Sequence, residues 1–465
     1  MEATAVLPDN ALKATHVLRA HFDTGATRSF QARRAALKAL KVGIIKHEEE
    51  LLAAMNTDMR KPRFEAYMSD IGLVLAEVDH ALKHLRQWMK PRAVPSPLAI
   101  QLAESELHPE PLGVVLIIAP WNYPVLLLLS PLIGAIAAGN CALLKPSEDA
   151  PATAVVVDRI IQEALPSGLA TVIHGKGSEV VPHLMKSFRF DHVFFTGSPK
   201  VGREVMLLAA DRLTPVTLEL GGKCPAIVDR KVDVKSAARR IAWSKYFNAG
   251  QTCIATDHVL VHSSLMEPFL EAFAEHVRRF YGADPQHSPD YARMINGRRF
   301  DVVKDYLAQG QLFLGGGHDA ADRYIAPSVL TNVQLDSPVM REEIFGPVLP
   351  VIQWTEREEV IAITKRNPNP LAAYIFSSDG KAQRFFRDSI SFGGGCINHC
   401  MLQFGPAELP FGGVGGSGMG RYHGYFTFEL FSNRKGMVHA STLIDPALQY
   451  PPYTKLKEKV LRRAL

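Results

Sequence analysis

One cysteine stands on a Gly-Gln-Thr loop between two apolar segments, in YFNAGQTCIA (Tyr246–Ala255). A thiol in such a place is either a small core side chain or a nucleophile. An unperturbed cysteine is mostly protonated at neutral pH. A reacting Cys253 therefore needs a base or a cation nearby, and donors for any oxyanion it creates. Other residues could supply these. Glu219, in TLELGGK, ends a strand-like run with a leucine on each side. A carboxylate there is costly unless it is paired or its pKa rises, and a raised pKa suits a general base. A strand-edge Glu facing water is the alternative. Gly221 and Gly222 leave room for a close approach. Asn122, between the two prolines of PWNYP, is the best amide to share an oxyanion with the Cys253 backbone N–H. A plain turn-forming Asn is the alternative.

Other residues suit a dinucleotide, which needs a glycine turn and a helix N-terminus aimed at phosphate. Gly413, Gly415 and Gly418 match G-x-G-x-x-G, but no strand precedes them and no clear helix follows. FTGSPKVG has the wrong spacing for that pattern. It does follow a strand and open a helix, which makes Gly197, Ser198 and Gly202 the better candidates. Lys145 and Glu148, in LLKPSE, could both reach a ribose. A Glu there accepts from a 2′-hydroxyl and repels a 2′-phosphate. A surface Lys/Glu pair on a turn is the alternative.

These residues need elements to position them. From Gly113 onward, strands and helices alternate five times, from GVVLIIAP through VLLLLSPLIGAIAAG to PVTLELGG. Such a series predicts an α/β fold with a parallel sheet, whose ligands bind beyond the carboxyl ends of the strands. Asn122, Lys145, Glu148, Gly197 and Glu219 all fall at such ends. A second alternating series runs from about Gly221 to Gly416. The first ninety residues read as helices, including FQARRAALKALKVGIIKHEEELLAAM, with HEEE as a solvated helix face. Ser69 or Asp70 is the expected cap of the next helix. Five prolines between Lys90 and Gly113 exclude a regular helix, and alternation from Ala99 to Leu107 predicts an extended ribbon.

The totals exclude several classes. The chain has 465 residues, 47% hydrophobic and 21% charged, with a net charge of +5. Charges of both signs are mixed along it, so no nucleic-acid footprint is expected. Five cysteines make no disulfide framework. CINHC (Cys396–Cys400) lacks a second ligand cluster of matching spacing, so no metal is expected. MEATAVLPDN carries no signal pattern, which points to the cytoplasm. The uncharged stretch between Glu110 and Lys145 is long enough to span a bilayer, but Pro120, Pro124 and Pro131 interrupt it. It reads as strand, turn and buried helix rather than as an integral membrane segment. The basic tail KLKEKVLRR reads as a frayed, solvated helix.

Taken in order, PWNYP, KPSE, FTGSPKVG, LELGGK, NAGQTC, EEIFGP and PFGGVGGSG resemble the motifs of the aldehyde dehydrogenase superfamily. The resemblance covers roughly Phe30 to Tyr453. SGMGRYHGYFTFELFSNRK and LTPVTLELGGK resemble the class-three branch, which handles aromatic and medium- to long-chain aldehydes with NAD or NADP. The resemblance implies a Rossmann-type cofactor domain (1–92 and 113–220) and an α/β catalytic domain (221–416). It also implies a bridging β-arm (93–112 and 417–445) that supports a homodimer, and a tail (446–465). Cys253 would attack the aldehyde, and Asn122 with the Cys253 N–H would hold the oxyanion. Glu219 would activate water to release a carboxylate. Lys145, Glu148, Gly197, Ser198 and Gly202 would bind the cofactor, Glu343 would hold its nicotinamide ribose, and Phe345 would lie beside the ring. Tyr67, Tyr123, Thr252, Ile254 and Phe411 are candidates for the aldehyde channel, with ordinary core packing as the alternative.

Three other activities use the same residues. They are transfer of the acyl group to coenzyme A, cofactor-free thioester hydrolysis, and a non-catalytic binding role. Glu219 argues against the first, because a water-activating base suits hydrolysis. Intact Cys253, Glu219 and Asn122 argue against the last.

Overall fold

A computed structural model describes residues 8–97, 100, 103–445 and 447–464. The N-terminal stretch up to Leu7, and Ala99 at the start of the expected ribbon, lie outside the described residues.

The first alternating series forms a six-stranded sheet. Its order is Gly418–Met419, Val216–Glu219, His192–Thr196, Val114–Ile118, Cys141–Lys145 and Ala170–Val172. The last five are parallel, and only Gly418–Met419 runs antiparallel. Strand order reverses beside Val114–Ile118, which is wholly buried, as its unbroken apolar run requires. Ligands of such sheets bind in the crevice at that reversal. Helix Leu126–Ala138 follows, is buried along its whole length, and closes on Gly139 at φ 93°. The uncharged stretch is thus a core strand and a core helix. No helix among the described residues is long and apolar enough to cross a membrane.

The second series forms a seven-stranded sheet in the order Gln311–Leu314, Ser328–Thr331, Val348–Trp354, His258–His262, Pro225–Val228, Ala372–Phe376 and Gly394–Ile397. All of it is parallel except the first pairing. The proline-rich ribbon pairs Arg92–Val94 and Ser432–His439 on either side of Glu104–Pro111. The expected bridging segment 417–445 therefore divides. Its first part joins the six-stranded sheet through Gly418–Met419, and Ser432–His439 enters the ribbon.

Two helical expectations change. The long first helix breaks at His47 into Phe30–Lys46 and Glu48–Met59. His47 is buried, and its ring bridges Glu50 and Glu163 at 2.9 and 3.0 Å, so HEEE is not simply a solvated face. Ser69 and Asp70 do not cap the next helix. They lie within a π-helical turn, Tyr67–Ile71, which runs directly into Gly72–Trp88. Such turns often mark functional sites. The basic tail forms Lys455–Ala464, with its described side chains mostly exposed, as expected.

Candidate active site

Cys253 lies between helix Val234–Tyr246 and strand His258–His262, after a distorted turn. Asn248, Ala249 and Gly250 take φ values of 53°, 51° and 76° in succession. A non-glycine residue pays about 1–2 kcal/mol for that conformation. Glycine is needed at 250, because a Cβ there would lie 2.4 Å from the Gly346 carbonyl oxygen. Hydrogen bonds hold the turn. Asn248 N–H donates to Glu65 Oε2 at 2.9 Å. The Gln251 amide donates to the Asn248 and Arg293 carbonyls at 3.1 and 2.9 Å, and its oxygen accepts from Ile295 N–H at 3.0 Å.

PWNYP follows Val114–Ile118 at the sheet's reversal point and meets this turn. Asn122 is buried, and its Nδ2 donates to the Gln251 carbonyl at 3.0 Å. Its own carbonyl accepts from Asn248 Nδ2 at 3.0 Å and from Lys61 Nζ at 3.2 Å. Lys61 pairs with Asp70 at 2.6 Å, and both side chains are 0% exposed. The Lys61 ammonium also sits 4.0 Å over the Tyr123 ring. The second Asp70 oxygen accepts from Val125 and Leu126 N–H at 3.2 and 3.1 Å, where helix Leu126–Ala138 begins. Asp70 thus caps a different helix from the one its sequence position suggests. The Tyr123 hydroxyl bonds Thr252 Oγ1.

Two buried carboxyl groups bear on the thiol. Glu219 is 3% exposed, and neither of its oxygens has a hydrogen-bond partner. Burial drives its pKa well above the carboxylate range, and Arg421 offsets this only in part. Gly412 keeps the surroundings tight, since a Cβ there would lie 2.9 Å from Glu219 Oε1. Burial, with the Asp257 charge adding to it, raises Glu343 to about 8. Its carboxylate rests against Gly221, whose added Cβ would meet it at 2.0 Å. The Glu343 segment is pinned by Asp257, which accepts from Ile344 N–H at 2.9 Å and pairs with Lys223. Burial pushes the Cys253 thiol up to about 12, with Glu343 and then Glu219 adding to the effect. The backbone N–H groups of Cys253 and Ile254 act in the opposite sense, favouring negative charge at the sulfur.

The cofactor candidates line the carboxyl ends of neighbouring strands. Lys145 Nζ donates to Glu148 Oε2 at 3.0 Å and to the Pro146 carbonyl at 2.6 Å. Glu148 Oε1 accepts from Gly177 N–H at 3.0 Å, where helix Gly177–Ser187 begins. Burial lowers the Lys145 pKa. For Glu148, burial works upward, but Lys145 and the backbone N–H groups hold it below the usual value. Gly197 follows strand His192–Thr196, and Ser198 caps helix Pro199–Ala210 through Val201 N–H at 3.4 Å. Gly202 packs on Leu220, where a Cβ would come within 2.7 Å. This strand–glycine–helix start, with Lys145 and Glu148 two strands away, fits a dinucleotide. Phe345 sits at φ 47° with its ring edge-on to Trp121 at 5.5 Å. Gly413 and Gly418 instead pack against backbone. A Cβ on Gly418 would lie 2.3 Å from the Leu218 carbonyl oxygen, so the G-x-G-x-x-G match there serves close packing beside Glu219.

A cavity of about 600 Å³ reaches Cys253, and Tyr123, Thr252, Ile254 and Phe411 line it. Tyr67 does not. It is 45% exposed, and its neighbours Met68 and Ser69 face the cavity instead, because the π-helical turn rotates the chain there. Lys61, Glu65, Gln251 and Arg293 are not among the expected site residues, and Asp70 is expected only as a helix cap. Only Gln251 carried a local signal, its place inside NAGQTC.

Residues 2–437 match the aldehyde dehydrogenase family model, and the chain belongs to that family. It is 43% identical to a Staphylococcus aureus 4,4'-diaponeurosporen-aldehyde dehydrogenase over 94% of this chain and 95% of that one. It is 44% identical to human aldehyde dehydrogenase family 3 member B1, covering 96% of each. An indole-3-acetaldehyde dehydrogenase solved with NAD+ superimposes with a TM-score of 0.87 at 27% identity, covering 95% of this chain and 91% of that one. The chain is therefore an NAD(P)-dependent aldehyde dehydrogenase of the class-three-like branch, with that family's fold.

Proposed function

We propose that this chain oxidises an apolar aldehyde, aromatic or medium- to long-chain aliphatic, to its carboxylate through a Cys253 thioester. The observation that carries this reading is the cavity of about 600 Å³, walled mostly by apolar and aromatic side chains, that Cys253 helps to line. A relative named for a diaponeurosporen-aldehyde supports an apolar substrate.

The Cys253 sulfur adds to the carbonyl carbon, and the thiol proton passes to a neighbouring carboxylate. The oxyanion accepts from the Cys253 backbone N–H and from the second N–H of the Asn122 amide, whose first is held by Gln251. When bound at the residues below, NAD(P)+ would supply the two-electron oxidation as the hydride acceptor. Glu219 then takes a proton from water, which attacks the thioester and releases the carboxylate and the thiol. Neither Glu219 oxygen has a hydrogen-bond partner, so either is free to take that proton. Lys145 and Glu148 hold the adenosine ribose, while Gly197, Ser198 and Gly202 form the phosphate turn. Glu343 holds the nicotinamide ribose, and Phe345 flanks the ring. Residues 1–92 and 113–220 act as the cofactor unit and 221–416 as the catalytic unit. The ribbon, with exposed Met437 and Val438 on Ser432–His439, supports a homodimer.

An aldehyde panel run with each dinucleotide, followed by the absorbance of reduced cofactor, tests the reading. Apolar aldehydes of six or more carbons should give the highest kcat/KM. A short or charged aldehyde that outperforms them would refute the proposed substrate class.

A further inference from the structure

Away from the catalytic residues, helix Gly72–Trp88 carries His80 and His84 one turn apart. Their rings lie 4.6 Å apart, centroid to centroid. Glu408, in the loop between Phe404 and Phe411, reaches to 3.6 Å from His80 Nε2. One ligand atom from each of the three lies within 4.8 Å of the others. His80 Nε2 is buried and has no hydrogen-bond partner. Trp88 walls the cluster, with its ring 5.5 Å from His80 and 6.0 Å from His84.

We propose that His80, His84 and Glu408 form a site for a borderline divalent cation of the zinc type. Two imidazoles and one carboxylate are the donor set such ions take, with water completing the shell. Donors bound at about 2 Å from a tetrahedral ion lie roughly 3.3–3.5 Å apart. The His80–Glu408 separation is already close to that. Glu408 is 78% exposed on its loop, so its carboxylate can swing inward to complete the set. The site joins two walls of the aldehyde cavity. Met68 and Leu73, which line it, flank the start of the His80 helix, and Phe404 and Phe411 bracket Glu408. A cation here ties the aromatic loop to the helix and stiffens the channel without touching the chemistry. No local spacing reveals this set, because Glu408 lies more than three hundred residues from the histidines.

The test uses the full chain, untagged, with Cys253→Ala so that the catalytic thiol cannot bind metal. After chelator treatment it is titrated with Zn2+ by calorimetry and with Co2+ by visible absorption. One ion per chain is expected. His84→Ala or Glu408→Gln in the same background should each weaken binding at least tenfold. Glu408→Gln alters an exposed loop side chain, so it tests the site even where His84→Ala misfolds. No binding, or unchanged affinity and stoichiometry in Glu408→Gln, overturns the proposal.

Discussion

Replacing Glu219 by Gln should uncouple the two halves of the reaction. The amide matches the carboxylate in size, so the tight fit against Gly412 survives while the basicity is lost. Loss of a positioned general base typically costs a factor of about 10²–10⁴. That is roughly 3–5 kcal/mol of barrier, at 1.36 kcal/mol per tenfold. The structure points to the lower end. Glu343 is a second buried carboxyl group that bears on Cys253, and its ionised fraction can take the proton in place of Glu219. We therefore expect thioester hydrolysis to fall about 10²-fold, with a first turnover of reduced cofactor close to one per chain. Glu219→Gln combined with Glu343→Gln should fall further. Rapid-mixing absorbance of the reduced cofactor separates the burst from the steady state. A normal burst followed by an unchanged steady state would refute Glu219 as the base. Loss of the burst itself would mean that Glu219 acts before hydride transfer.

Glu148→Ala removes the partner of the Lys145 ammonium and the group that would repel a 2′-phosphate. The NADP:NAD ratio of kcat/KM should rise about tenfold, equivalent to ~1.4 kcal/mol, and an unchanged ratio would remove Glu148 from the ribose site. Lys61→Met leaves Asp70 buried and unpaired, which costs about 3–5 kcal/mol. Its thermal midpoint should fall clearly below that of the parent chain, and Asn122-dependent turnover should fall with it. Glu65 is raised from 4.5 to about 8, chiefly by burial. Between those values the native state holds a proton that the unfolded state has lost, so stability falls as pH rises, by about 1.4 kcal/mol per pH unit. Glu65→Gln should flatten that slope in midpoints measured from pH 5 to 8, and an unaltered slope would contradict the assignment.

Local pattern made the parallel sheets readable, because buried strands such as Val114–Ile118 and their helices carry unbroken apolar runs. Cys253, Glu219 and Asn122 each have an ordinary structural alternative when taken alone, and it is their place among seven motifs in the family's order that singles them out. What supports them was not readable. Lys61 and Asp70 meet only because a π-helical turn brings Asp70 inward, and no helical or strand periodicity encodes that turn. The same turn explains why Tyr67 misses the cavity while Met68 faces it. His47, at the helix break, pairs with Glu163, a residue of another helix that no local pattern brings to it. Gly418 acquires a meaning from the pairing of its strand with Leu218–Glu219, and Gly412 from its close approach to the Glu219 carboxyl group; neither is encoded locally.

The most direct test of the account is the mass of the protein during turnover. Glu219→Gln, mixed with an apolar aldehyde and NAD+ and quenched in acid, should gain the mass of one acyl group, on the peptide that contains Cys253. Cys253→Ala should gain none and should not turn over. Sustained aldehyde oxidation by Cys253→Ala, or an acyl group on any other residue, would contradict the account.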